Sequence, residues 1–81
     1  MQIDIECRYT VGLSDIKIGE MGVTEEIMNS LEYLSTLPDV DGCRGDIDLE
    51  ARAGLEWING HIHSDNAYDW QYIINDFDRE G

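Results

Sequence analysis

Residues 3–11 alternate between apolar and polar side chains. One side carries Ile3, Ile5, Cys7, Tyr9 and Val11, and the other carries Asp4, Glu6, Arg8 and Thr10. A period of two is typical of a strand with one buried side, so we predict a strand here. The composition of residues 12–15 indicates a turn. Residues 16–18 then predict a short second strand that pairs with the first as a hairpin.

A helix is predicted to follow. Thr24 suits the N-cap position, and Glu25 and Glu26 in the first turn complement the helix dipole. The apolar positions recur at helical spacing and comprise Ile27, Met28, Leu31 and Leu34. Pro38 is expected to end the helix, because proline cannot continue the backbone hydrogen bonding.

Alternation returns over residues 46–57 and predicts a third strand. The apolar side comprises Ile47, Leu49, Ala51, Ala53, Leu55 and Trp57. A helix from Leu49 to Ile58 is the alternative, since Ala, Leu and Glu are good helix formers. Asn59-Gly60 is a strong hairpin signal, and it predicts a returning strand over residues 61–63.

A second helix is predicted from Asp65 to Arg79. Its apolar stripe comprises Ala67, Trp70, Ile73, Ile74 and Phe77. The predicted element order is therefore ββαββα, an α+β fold. The expected architecture has two layers, in which both helices pack on one face of an antiparallel sheet.

Charge is the strongest compositional signal. The 81 residues include 18 Asp and Glu but only five Lys and Arg, which gives a formal net charge of −13. Hydrophobic residues make up 42% of the chain, which is too many for a disordered acidic tail. Such a charge repels nucleic acids and anionic membranes and favours a basic partner. A halophilic cytoplasm or simple solubility is the alternative explanation.

The chain is expected to form one cytoplasmic domain over residues 1–81. The N-terminal residues lack the basic and apolar regions of a signal peptide, and no apolar run of about 18 residues could span a membrane. Cys7 and Cys43 are too few for a disulfide framework. We expect both to be reduced thiols, although one bridge between them stays open.

Acidic side chains occupy the outward positions of the predicted strands. They are Asp4 and Glu6 on the first strand and Asp46, Asp48 and Glu50 on the third. On neighbouring strands these like charges would destabilise the sheet by roughly a few tenths of a kcal/mol per pair. A chain that tolerates this cost is expected to keep the acidic residues because they bind a partner. If the strands are not adjacent, the carboxylates are simply solvated.

The outer side of the predicted last helix extends this candidate surface. Tyr68 and Tyr72 lie one helical turn apart, next to Asp69 and Asp76. Exposed tyrosines are enriched at protein interfaces, because they add contact area at low entropic cost. A tyrosine at the edge of an apolar stripe is also often part of the core.

His61, His63 and Asp65 are the candidates for metal binding. Two histidines on one side of a strand suit a transition metal, and a carboxylate could complete the site. The pattern resembles part of the histidine motif of metallo-β-lactamase-like hydrolases, but Asn66 replaces the next histidine and the chain is too short for that fold. A polar hairpin rim is the commoner explanation, so we expect no cofactor. Catalytic motifs are also missing, and we expect a protein that is not an enzyme.

In composition the chain resembles inhibitors made by phages and mobile elements, among them anti-CRISPR and anti-restriction proteins. That resemblance implies a nucleic-acid mimic, which covers the basic surface of a nucleic-acid-binding enzyme and contacts neither nucleic acid nor membrane directly. An immunity protein or antitoxin that caps a nuclease toxin would need the same acidic surface and is the alternative. The sequence also leaves open whether the chain forms a homodimer.

Overall fold

The computed structural model of the protein describes residues 1–6, 10–41, 48–61 and 71–80. Within these ranges the element order is ββαβαβ. The elements are β1 (Gln2–Glu6), β2 (Thr10–Leu13), α1 (Glu25–Ser35), β3 (Val40–Asp41), α2 (Leu49–His61) and β4 (Gln71–Asp78). The predicted α+β class is confirmed, whereas the predicted ββαββα order is not.

The strands form an antiparallel sheet in the order β2-β1-β4-β3. The short strand β3 adds only two residues at the outer edge of β4. Along β1, Ile3 and Ile5 are buried while Asp4 between them is partly exposed. Because successive side chains of a strand point to opposite faces, one face of the sheet meets the helices and the other meets solvent.

The predicted first strand is in fact a pair of strands. Glu6 of β1 pairs with Thr10 of β2 in an antiparallel register, so the two strands run in opposite directions. The reversal preserves the phase of the pattern, because even-numbered residues stay on the solvent side in both strands. The alternation over residues 3–11 therefore gave no sign of it. Residues 16–18, predicted as the second strand, lie outside any strand.

Helix α1 begins at the predicted N-cap and ends at Ser35, three residues before Pro38, which was predicted to stop it. The Thr24 hydroxyl accepts a hydrogen bond of 3.2 Å from the backbone N–H of Ile27, which satisfies one of the free donors at the helix N-terminus. Glu25 and Glu26 occupy the first turn. The buried side of the helix comprises Met28, Ser30, Leu31 and Leu34. The N-cap prediction is confirmed.

The predicted strand over residues 46–57 is wrong, because residues 49–61 form helix α2, the alternative assignment. Asn59-Gly60 lies in its last turn instead of a hairpin. Apolar residues lie on two sides of this helix: one stripe includes Ala51 and Leu55, and the other comprises Leu49, Ala53 and Trp57. Two stripes with a spacing of four, offset by two residues, together produce an apparent period of two.

The predicted last helix is also wrong, because residues 71–78 form strand β4; residues 65–70 lie outside the described ranges. Strand β4 carries a β-bulge. Ile74 pairs with Ile5 while Asp76 pairs with Asp4, so one extra residue stands on β4 between these pairs. The bulge separates Ile74 from the next inward residue, Phe77, by three positions, which is a helical spacing.

The two helices approach each other closely at Ser30 and Gly54. The Ser30 hydroxyl donates to the carbonyl oxygen of Glu50 at 2.6 Å and accepts from the N–H of Gly54 at 2.8 Å. A Cβ atom on Gly54 would lie only 2.8 Å from Ser30 Oγ and 3.2 Å from the backbone nitrogen of Leu31. Glycine therefore permits this crossing.

Both helices share one hydrophobic core with the inner face of the sheet. The fully buried large side chains are Tyr72, Ile3, Ile5, Leu31, Leu34, Leu55, Ile58, Val23 and Val40. Polar atoms at the edge of this core are paired. The Trp57 indole N–H donates to the carbonyl oxygen of Met21 at 2.9 Å. The Tyr72 hydroxyl donates to Asn59 Oδ1 at 2.8 Å.

Candidate protein-binding surface

The solvent side of the sheet is the surface on which acidic residues gather, and we call it the open face. Its described strand residues are Gln2, Asp4, Glu6, Thr10, Gly12, Gln71, Ile73, Asp76 and Asp78, assigned from the pairing register and the burial pattern. Asp4 and Glu6 were predicted to point away from the helices, and the structure confirms that position. The open face therefore carries carboxylates on both β1 and β4.

Asp76 reaches the open face because of the bulge in β4. Beyond Ile74, both Asn75 and Asp76 are exposed, and Phe77 then returns to the inner side. Asp76 consequently lies directly opposite Asp4 in the sheet. It had been predicted on the outer side of a helix, so the acidic residue is exposed as expected but belongs to a different element.

Asp4 and Asp76 form a cross-strand pair of like charges. Directly opposed side chains on antiparallel strands have Cβ atoms about 5 Å apart, and like charges there destabilise the sheet. The Gln2 side-chain amide donates to Asp76 Oδ2 at the long distance of 3.5 Å. This contact is weak, and the neutral amide leaves the charge of Asp76 in place.

Gly12 leaves room for the Asp4 carboxylate at the β2 edge of the open face. Gly12 pairs with Asp4, and a Cβ atom on Gly12 would lie 2.8 Å from Asp4 Oδ1. The carboxylate of Asp4 therefore lies above the glycine backbone. Gly12 was predicted to lie in a turn, and the local sequence carries no signal for this role.

The described strand residues of the open face include no Lys or Arg. Arg79 follows β4, but its guanidinium lies against α1. It donates to Glu25 at 2.5 Å, to Glu32 at 3.0 Å and to Asn29 at 2.7 Å. The hydrogen bond to Glu32, assisted by the charge of Glu25, raises the pKa of Arg79 above its ordinary value. Arg79 thus offsets part of the acidic charge of α1 rather than that of the open face.

Asp48 and Glu50 do not belong to the open face, contrary to prediction. Asp48 lies immediately before α2, where its Oδ1 accepts a hydrogen bond of 3.1 Å from the N–H of Glu50. Its Oδ2 accepts from the Tyr33 hydroxyl at 2.8 Å. Asp48 therefore caps α2, and Glu50 is exposed in the first turn of that helix. Asp46 lies outside the described residues.

Tyr72 is not an exposed contact residue either. Its side chain is 0% exposed, because it projects from β4 into the core. The predicted position on a helix surface is therefore wrong. Tyr68 and Asp69, predicted beside it, lie outside the described residues. Asp78, which was not among the predicted contact residues, is exposed two residues after Asp76 on the same face.

His61 ends helix α2, whereas His63 and Asp65 lie outside the described residues. The His61 ring stacks on the Trp57 ring with centroids 5.2 Å apart, and its Nδ1 lies 3.0 Å from the Trp57 carbonyl oxygen. The described part of the chain contains no group of three His, Cys, Asp or Glu residues that could hold a metal ion. In that same part, neither helix is long and apolar enough to cross a membrane.

Comparison with known protein families, with curated proteins and with solved structures gives no match to this chain. The arrangement of charged and apolar side chains on the described surface is therefore the basis for a functional proposal.

Proposed function

We propose that the protein binds a basic surface of another protein through its open face. The observation that carries this proposal is the direct opposition of Asp4 and Asp76, with Glu6 and Asp78 on the same face and no cation among its described strand residues. A Lys or Arg placed between the opposed carboxylates would replace repulsion with attraction. Binding would thus relieve an unfavourable feature of the free domain.

The open face offers anions in a regular array. Carboxylates two residues apart on a strand stand about 6.7 Å apart along the strand, and neighbouring strands lie about 4.8 Å apart. Asp4 and Glu6 on β1, and Asp76 and Asp78 on β4, follow this geometry. A partner built to hold a polyanion presents cations at intervals of a few ångströms, so it is the class of partner that this array suits.

The more specific part of the proposal is that the partner is a nucleic-acid-binding enzyme and that the protein inhibits it without catalysis. A basic channel that holds nucleic acid also attracts a folded polyanion, with fast and salt-sensitive association. An inhibitor of host defence made by a phage or mobile element would act in this way. An immunity protein would use the same open face against a nuclease toxin, so the identity of the captured partner distinguishes the two.

The test compares two pairs of conservative substitutions. Asp4→Asn with Asp76→Asn removes two charges from the open face. Asp15→Asn with Asp39→Asn removes two charges from exposed loop positions elsewhere. Asp15 has a φ of 59°, a left-handed conformation that asparagine tolerates well, so this control should fold normally. The immobilised proteins are used to capture partners from bacterial lysate, with duplex DNA as competitor.

Wild-type protein and the loop variant should retain the same basic, nucleic-acid-binding partner, and DNA should displace it. The open-face variant should bind that purified partner at least about tenfold more weakly, a difference of about 1.4 kcal/mol. Raising the salt from about 50 to about 500 mM should weaken wild-type binding steeply, because surface charges become screened. Equal affinity of the two variants would contradict a role for the open face.

A further inference from the structure

A groove in the helical layer follows the seam between α1 and α2, and we call it the α1–α2 groove. Its volume is about 630 Å³, and Gly22 and His61 line one end. A smaller extension of about 260 Å³ shares Glu26, Leu49 and Ala53 with it. The groove belongs to the helices and contains no residue of the open face.

The floor of the α1–α2 groove is apolar because a second apolar stripe of α2 runs along it, from the buried Trp57 to the exposed Leu49. Leu49, Ala53 and Trp57 line the groove together with Ile27 of α1. Leu49 is 77% exposed, the highest value among the exposed large hydrophobic side chains of the described residues. A helix that is apolar on two sides is normally covered on two sides. Within the described residues Trp57 of this second stripe belongs to the core and Ala53 is half-buried, so the end of the stripe at Leu49 is the part left uncovered.

The walls of the groove are predominantly acidic. Glu26 stands on the α1 side, and Glu50 and Glu56 stand on the α2 side. All three are exposed. The lining side chains also include two basic residues, Arg52 and His61. An occupant that complements these walls must combine an apolar stripe with flanking positive charges.

We propose that the α1–α2 groove binds a basic amphipathic helix of a partner protein. Grooves between packed helices accept a third helix whose apolar residues recur at positions i, i+3, i+4 and i+7. Leucine-like side chains of the partner contact Leu49, Ala53 and Ile27, and its Lys or Arg side chains contact Glu26 and Glu56. This site is independent of the open face, so either proposal can fail without the other.

The probe is a synthetic peptide of about 18 residues made of Leu and Lys, with Leu at helical spacing, enough to form a helix when bound. The control peptide has the same composition in an order that destroys the stripe. Titration calorimetry at about 150 mM salt measures binding to the intact protein. We expect the patterned peptide to bind more tightly than the control, because both carry the same charge and only the first presents an apolar face.

The test variant is Leu49→Gln, and the matched control is Ile18→Gln, which changes another exposed apolar side chain that does not line the groove. Leu49→Gln should weaken binding of the patterned peptide about tenfold, whereas Ile18→Gln should leave it unchanged. Both positions are exposed, so both variants should unfold at the wild-type urea midpoint. Substituting Asp4 and Asp76 should alter peptide affinity no more than substituting Asp15 and Asp39.

Three results would overturn the proposal. Equal binding of the two peptides would show that charge alone attracts them. Equal affinity of Leu49→Gln and Ile18→Gln for the patterned peptide would place its binding elsewhere. A concentration-dependent dimer of the free protein that Leu49→Gln abolishes would identify a second copy of the chain as the occupant.

Discussion

Replacement of Gly54 by alanine should destabilise the fold, although alanine is the better helix former. An isolated glycine inside a helix costs about 1 kcal/mol relative to alanine, so propensity alone predicts stabilisation. The added Cβ, however, would lie 2.8 Å from Ser30 Oγ, 3.0 Å from Leu34 Cδ1 and 3.2 Å from the nitrogen of Leu31. Overpacking of this kind typically costs about 1–3 kcal/mol.

The hydroxyl of Ser30 adds to this cost. It bridges the carbonyl of Glu50 and the N–H of Gly54, and a displaced helix would stretch both bonds, at about 0.5–1.5 kcal/mol each. Overpacking and hydrogen-bond loss together exceed the propensity gain. We expect the free energy of unfolding to fall by about 1–5 kcal/mol.

Urea unfolding followed by tryptophan fluorescence measures this change, because the midpoint falls as stability falls. Gly60→Ala is the matched control in the same helix, since a Cβ there would meet no atom within 4 Å and its φ is not positive. That variant should be as stable as wild type or slightly more stable. If Gly54→Ala behaves like Gly60→Ala, the close crossing of α1 and α2 does not exist.

Further predictions concern single side chains. Tyr72→Phe should lower the free energy of unfolding by about 0.5–1.5 kcal/mol, because Asn59 Oδ1 loses its hydroxyl donor; urea denaturation measures this, and unchanged stability would refute the pairing. Asp48→Ala should cost about 0.5–2 kcal/mol, whereas Asp48→Asn should retain most of the cap, so equal losses in the same assay would argue against capping. Asp76→Asn should stabilise the domain by a few tenths of a kcal/mol, roughly, because repulsion from Asp4 is relieved; a lower midpoint in low-salt urea unfolding would contradict this.

The sequence predicted those elements whose signals are local. Helix α1 was correctly placed because its N-cap, its acidic first turn and its apolar stripe all lie within a few residues of one another. A hairpin of the first two strands was predicted, but its turn was placed at residues 12–15. The alternation continues with the same phase from β1 into β2, so it does not show where β1 ends. Such cases show that a uniform pattern constrains which side a residue faces more firmly than where a strand ends.

The remaining errors arose from tertiary structure that changes the apparent period. The second apolar stripe of α2 imitates a strand, and the bulge of β4 imitates a helix. Of the candidate site, Asp4 and Glu6 were placed correctly because they alternate with buried isoleucines in one short strand. Asp76 could not be placed, since its position depends on pairing with a strand more than 70 residues earlier. The role of Gly12 depends on the register of the β1–β2 pair, whose turn was predicted at the wrong residues.

The bulge in β4 also makes the strand unequally tolerant of changes in length. Loss of Asn75 would leave a regular strand in which Asp76 and Asp78 still meet solvent and Phe77 still meets the core. Loss of Ile73 would instead turn Tyr72 toward water if the bulge is kept, or place Asn75 in the core and Ile74 in water if the bulge is lost. Deletions in related chains should therefore be found at position 75 and be absent from positions 72–74.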